Sequence, residues 1–169
     1  ESALSTGLPI QLTGELQQQN LSRANEQGFV TGDRMGIYIV DYVDNVPGAL
    51  DASSNRASNV LFTFDGENYK WTAPTQLYWK DSSTPVDVYG YYPGVNYIDN
   101  PSAYKFEVSE KQNVLPQDGE MSNYEASDFL WGKATKISPT EEKITISYKH
   151  RMAGVWVSLK AGEGISSTE

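Results

Sequence analysis

Apolar side chains recur at every second position along most of the chain, and this period of two constrains the fold more than any other feature. Successive side chains of a β-strand point to opposite faces, so such alternation is typical of a strand that buries one face. The clearest positions are Leu8, Ile10, Leu12, Met35, Ile37, Ile39, Phe62 and Phe64, and further runs are NYKWT, QLYWK, VDVYGYY, YKFEV, DFLWGK, KITISYKH and AGVWVSLK. No segment shows a convincing helical period, and we therefore expect a mainly β protein.

Clusters of Gly, Pro, Asn, Asp and Ser separate these runs, and two of the connections predict hairpins. In FDGEN (64–68), the Asp-Gly pair can adopt the positive φ that a tight turn requires. In YKHRMAG (148–154), one strand must end and the next, with Val155, Val157 and Leu159, must begin within a few residues. Many short antiparallel strands at this spacing are typical of a β-sandwich or a barrel, and of the two we predict a sandwich.

Two stretches lack clear alternation and are predicted to be connections. Residues 43–59 read as a polar loop. Residues 109–127 are the longest stretch without a clear strand, and we expect a single helical turn there, near MSNYEAS. No linker or internal repeat divides the 169 residues, which predicts a single domain over residues 1–169.

Composition excludes several kinds of partner and site. With 22 acidic and 13 basic residues, the net charge of −9 would repel a polyphosphate backbone, so no nucleic-acid partner is expected. The absence of cysteine excludes disulfides, thiolate metal sites and a cysteine nucleophile within these residues. No apolar run approaches the roughly 20 residues of a membrane-spanning helix.

The sequence holds no recognisable catalytic or metal-binding motif. His150 is the only histidine, and no serine lies in a Gly-x-Ser-x-Gly turn, so a hydrolase ranks well behind a non-enzymatic protein. The oxygen-rich stretches DYVDN and DGEN do not match the spacing of a calcium-binding EF-hand. We therefore predict no catalytic residues, no metal site and no cofactor.

Four tryptophans raise the alternative of a carbohydrate-binding surface adhesin, because flat apolar rings stack on the faces of sugars. Trp156 alternates out of phase with Val155 and Val157 and should face away from their core. Trp79 and Trp156 are the candidate ligand-binding or interface aromatics.

Several ordered segments together resemble the N-terminal domain of the fimbrillin-like proteins of Bacteroidales, the subunits of type V pili. They are SRANEQGFVTGDRMGIYI (22–39), VDVYGYYP (86–93), Gln112, SDFLWGK (127–133) and ITISYKHRMAGVWVSL (144–159). The resemblance implies a transthyretin-like Greek-key β-sandwich in which VDVYGYYP is a central core strand. Proline at its end can stop the ladder because it has no N–H to donate.

The resemblance also implies a function at the cell surface. Such proteins are exported as lipoproteins, attached to the outer membrane through a cysteine ahead of the mature chain, and cut by a protease after an arginine. The first strand leaves, and a strand from the next fimbrial subunit fills the vacated groove by donor-strand exchange. The family's second domain is absent after Glu169, so we expect a fragment, or a shortened member that only accepts a strand.

The first strand would be LPIQLTGEL (8–16). It places four apolar side chains on one face and Gln11, Thr13 and Glu15 on the other. The four are Leu8, Ile10, Leu12 and Leu16. The expected cut lies between Arg23 and Ala24, in a polar stretch before the next strand, and Arg34 is the competing site. Partners would be other subunits, with a glycan or a host surface as a further candidate ligand.

Overall fold

The computed structural model describes residues 7–16, 29–112, 123 and 125–152. Within them, strands dominate and the helical content is limited to two short 3₁₀ turns, so the expected mainly β class is confirmed. The strands are β1 Leu12–Leu16, β2 Arg34–Val43, β3 Val46–Pro47, β4 Ala57–Asp65, β5 Lys70–Thr72, β6 Val86–Tyr92, β7 Leu130–Ile137 and β8 Ile144–His150. The 3₁₀ turns are Pro101–Ala103 and Glu125–Ser127.

The strands form one sheet in the order β1-β8-β7-β6-β2-β4-β5, and β3 pairs with the end of β2. Every pair along this order is antiparallel except β1 with β8, which is parallel. The sheet curves until the end strands β1 and β5 lie close to each other. The predicted sandwich is thus confirmed in the form of a single curved sheet folded around one main core.

The inner face of the sheet surrounds that core, and the alternation seen in the sequence decides which side chains enter it. Met35, Ile37 and Ile39 of β2 are fully buried there. Tyr38, between them, points to the outer face and belongs to a second, smaller cluster. The main core also contains Phe62, Phe64, Trp71, Trp79, Val86, Val88, Leu130, Ile144, Ile146 and Tyr148.

The strand VDVYGYY is β6, and it lies between β2 and β7 as the resemblance implies. The end of β6 is hydrogen-bonded to the start of β2. The Tyr92 hydroxyl donates to Asp33 Oδ1 over 3.0 Å, and the Gly94 N–H donates to the Arg34 carbonyl over 2.7 Å. On the outer face, the Tyr91 hydroxyl donates to Asn59 Oδ1 over 2.5 Å.

Two local predictions about turns can be compared with the structure. The FDGEN hairpin is present, because β4 and β5 pair antiparallel on either side of it. The residue with positive φ in this turn is Tyr69 and not Asp65 or Gly66. Asp65 Oδ1 accepts the backbone N–H of Glu67. The helical turn near MSNYEAS is the 3₁₀ turn Glu125–Ser127. The predicted strand from Val155 lies outside the described residues.

The loop predicted at 43–59 contains β3 and the start of β4. Two of the alternating runs, QLYWK and YKFEV, are not strands. In QLYWK, only Tyr78 forms a bridge, to Pro9. In YKFEV, the alternate residues Tyr104 and Phe106 pack on Phe129. The centroid of the Phe129 ring lies 6.0 Å from that of Tyr104 and 4.8 Å from that of Phe106. The alternate side chains of this run cover the outer face of the sheet, and its backbone does not join the sheet as a strand.

Candidate functional site

The candidate site is the place that the first strand occupies at the end of the sheet. β1 pairs with β8 in parallel register, from Leu12 opposite Ile144 to Leu16 opposite Tyr148. The residues before β1 bind a different part of the chain. The Ile10 N–H donates to the Leu77 carbonyl over 2.8 Å, and the Trp79 N–H donates to the Leu8 carbonyl over 3.0 Å. Residues 8–16 therefore bridge β8 and the segment before β6.

The side chains of this strand face the core as the alternation predicts. Ile10 is 3% exposed and Leu12 is 6% exposed, while Leu8 and Leu16 are half-buried against the same core. Gln11 and Glu15 are exposed on the opposite face. The four leucine and isoleucine side chains thus fill one edge of the main core.

A groove of about 420 Å³ runs beside the strand. It lies between the first strand on one side and β5 with the residues after it on the other, and Trp71 lines it. In the described part of the chain, no other strand pairs with the free edge of β1. The first strand is therefore held on one side by β8 and is open along much of the other.

Two buried rings close the inner wall behind the strand at Gly14. A β-carbon at Gly14 would lie 2.9 Å from Tyr148 Cε2 and 3.3 Å from Trp71 Nε1. Burial raises the pKa of Tyr148 well above its ordinary value, so its hydroxyl stays protonated and lies 3.0 Å from Met35 Sδ. The indole N–H of Trp71 is buried and has no hydrogen-bond partner among the described residues.

Trp79 is not an exposed aromatic, and this corrects the sequence-based expectation. It is 2% exposed, and its indole N–H donates to the Thr140 carbonyl over 3.1 Å. The physical reason is the alternation of QLYWK, in which Leu77 and Trp79 point inward and Tyr78 points outward. Trp156, Arg23 and Ala24 lie outside the described residues.

Other aromatic side chains occupy the outer face of β6 and β7, and sequence reasoning missed them. Trp131 and Tyr89 are half-buried there. The Arg151 guanidinium lies 4.9 Å from the Trp131 ring, and Lys133 Nζ lies 4.6 Å from the Tyr89 ring. The alternation of LWGK with buried Leu130 was the signal that could have placed Trp131 outside the core.

The described residues assemble no site of obvious catalytic or metal-binding chemistry. His150 Nδ1 lies 2.9 Å from Asp128 Oδ1, and no described serine hydroxyl completes a triad with them. No cluster of three or more histidine or carboxylate side chains in these ranges could hold a metal ion. No helix in the described part of the chain has the length and apolar character that a membrane span requires.

Comparison with known proteins gives the same architecture. A candidate cell adhesion protein from Bacteroides ovatus superimposes with a TM-score of 0.57 at 17% identity, over 84% of this chain and 52% of that one. Another from Bacteroides uniformis gives a TM-score of 0.55 at 17% identity, over 86% and 48% of the two chains. The chain thus spans about half the length of these solved structures. At this identity they show a shared fold.

The sequence comparisons differ in outcome. No curated protein matches the chain. The family model described as fimbrillin-like matches residues 22–169, which is most of the sequence. This chain therefore belongs to the fimbrillin-like family.

Proposed function

We propose that this chain is a structural or accessory subunit of a cell-surface fimbria, and that it accepts a strand from a neighbouring subunit after its own first strand is removed. The observation that carries the proposal is the position of residues 8–16. They lie at the end of the sheet, bury Ile10 and Leu12 in the core, and border an open groove. A strand at this position can be exchanged without disturbing the order of the other strands.

The energetics favour replacement over loss of the strand. Burial of Ile10 and Leu12 stabilises the fold by about 1.5–3 kcal/mol each, and the half-buried Leu8 and Leu16 add less. This sum is a large part of the 5–15 kcal/mol that stabilises a typical domain. A domain without residues 8–16 would expose apolar surface, and an alternating strand from another subunit would cover it.

The proposed cut after Arg23 is supported by the positions of two other arginines. The backbone of Arg34 is in the ladder opposite Thr63, and its carbonyl accepts the Gly94 N–H. Arg56 is ion-paired with Asp41 directly before β4. A protease requires an extended, accessible segment, and the polar stretch LSRANEQG between the first strand and β2 suits it better.

Digestion of the whole chain with an arginine-specific protease, followed by mass spectrometry, tests the proposal. We expect the first cut between Arg23 and Ala24, with release of residues 1–23 under mild denaturant. The Arg23→Gln variant should lose this cut, and the matched Arg34→Gln variant should keep it. A first cut after Arg34 or Arg56 would contradict the proposal. So would a cleaved domain that stays folded and monomeric after residues 1–23 have been removed.

The proposal places the protein at the cell surface and gives it no enzymatic role. Its partners are other fimbrial subunits, and attachment to the outer membrane would come only through a lipid anchor outside these residues. Membership of the fimbrillin-like family supports such a role.

A second candidate function is glycan binding at the outer face of β6 and β7. The half-buried Trp131 and Tyr89, each beside a cation, favour it over a site at the buried Trp79. A glycan array tests it: binding that is lost in Trp131→Ala but kept in Tyr97→Ala would support the adhesin. An array without binding would oppose it.

A further inference from the structure

The inner wall of the strand-binding site leaves no room for a side chain at the position of Gly14. A β-carbon there would lie 2.9 Å from Tyr148 Cε2, a distance that ordinary β-carbons do not reach. Glycine within a strand commonly marks a place where another group approaches the backbone closely. Gly14 lies on the same face as Ile10, Leu12 and Leu16, so its missing side chain belongs to the core-facing pattern.

Packing on the core side restricts the movement of both rings away from Gly14. The ring of Tyr148 is fully buried, and its hydroxyl lies against Gly90 on the opposite side, where a side chain would also collide with it. Trp71 packs against Phe29 and Phe64, with ring centroids 4.8 and 5.1 Å away. Close-packed interiors resist added volume because several groups must shift together.

We propose that this site selects an incoming strand by a glycine at the position of Gly14, between two apolar residues at the positions of Leu12 and Leu16. The partner is a strand of another subunit with the pattern apolar-x-apolar-x-Gly-x-apolar, in parallel register with β8. The inference rests on the proposed strand exchange and goes beyond it by naming which strands fit. The glycine also fixes the register, since a shift of two residues would press a leucine against Tyr148.

Exchange of peptides into the whole chain, cleaved after Arg23, tests the selection. The labelled probe is a synthetic peptide of residues 7–16, and binding is followed by fluorescence anisotropy in urea just below the unfolding midpoint. We expect the Gly14→Ala peptide to bind about tenfold more weakly or worse than the unsubstituted peptide. The Gln11→Ala peptide, changed on the exposed face, should bind as the unsubstituted one does.

The sign of the effect is informative, because alanine in a strand costs less conformational entropy than glycine. Without the two rings, the Gly14→Ala peptide would bind as tightly as the unsubstituted peptide or more tightly. Equal or tighter binding would therefore overturn the selection by glycine and leave strand exchange standing. If no peptide binds, including the unsubstituted one, the proposed strand exchange is overturned and the selection with it.

The intact chain provides a second measurement that does not depend on exchange. Gly14→Ala in the whole chain should lower the urea midpoint of unfolding, whereas Gln11→Ala should leave it unchanged. An unchanged midpoint in the Gly14→Ala chain would also overturn the inference, because the rings would then have room for a side chain.

Discussion

The hydroxyl of Tyr148 in β8 occupies the space in which a side chain at Gly90 in β6 would stand. The two residues are on strands separated by β7, so the ring reaches across β7 to the position of Gly90. Gly90 is therefore required for packing and not for a turn.

This relationship predicts that Gly90→Ala destabilises the protein by about 1–3 kcal/mol through overpacking. Tyr148→Phe alone should cost less, since it removes only the weak contact of the hydroxyl with Met35 Sδ. The double variant should be more stable than the sum of the two changes predicts, because the hydroxyl that collides is gone. Urea unfolding of the four proteins gives this coupling, and simple additivity would contradict it.

The carboxyl group of Asp87 should make the free energy of unfolding depend on pH. It is 1% exposed, and burial would raise its pKa, but the Lys136 N–H, the Tyr42 hydroxyl and Lys133 outweigh burial and lower the pKa below its ordinary value. The carboxylate therefore stabilises the fold above the unfolded pKa of about 4, and this contribution is lost as the pH falls below it.

We expect Asp87→Asn to cost about 1.5–3 kcal/mol at pH 7, because a buried carboxylate that accepts from the Lys136 N–H and the Tyr42 hydroxyl and pairs with Lys133 is lost. The difference from the unchanged protein should shrink as the pH falls below about 4. Urea unfolding at a series of pH values measures this, with the exposed Asp99→Asn as control. A difference that is constant between pH 7 and pH 3 would show that the charge of Asp87 is not responsible.

Trp79 should behave as a core residue. Trp79→Ala is expected to destabilise by about 3–5 kcal/mol, and Trp79→Phe by less, because only part of the ring and the hydrogen bond to the Thr140 carbonyl are lost. The control is Tyr97→Ala, whose side chain is 76% exposed and should change stability by no more than about 0.5 kcal/mol. A Trp79→Ala protein as stable as the Tyr97→Ala protein would contradict this placement.

Alternation in the sequence was enough to predict the class of fold, because the inner face of each long strand is buried. It predicted the burial of Met35, Ile37 and Ile39 and the inward face of the first strand. It failed in YKFEV (104–108), because alternation indicates one covered face and not a hydrogen-bonded neighbour. Tyr104 and Phe106 cover the outer face of the sheet without joining it.

The candidate site could be predicted only in part for a related reason. The apolar face of residues 8–16 is a local pattern, whereas the wall behind Gly14 depends on Tyr148 and Trp71, which are far away in the sequence. A glycine at an inward position of a strand was the available signal. The burial of Trp79 was predictable from the sequence, because Trp79 lies two residues after Leu77 and therefore on the same face of an extended segment.

Tyr92, at the end of β6, is hydrogen-bonded to the residues that lead into β2. Its hydroxyl donates to Asp33 Oδ1 over 3.0 Å, and Asp33 Oδ2 accepts the Val30 N–H over 2.8 Å. Tyr92→Phe should therefore destabilise by about 1.5–3 kcal/mol, because a buried carboxylate loses a donor. Asp33→Asn removes the charge from the same interaction, so the double variant should cost less than the sum of the two.

Urea unfolding gives these free energies, and amide hydrogen exchange at Val30 reports whether the turn into β2 has loosened. Tyr69→Phe, at a side chain that is 81% exposed, is the matched control and should change neither. Additive effects of Tyr92→Phe and Asp33→Asn, or unchanged exchange at Val30 in both, would mean that the end of β6 does not hold the start of β2.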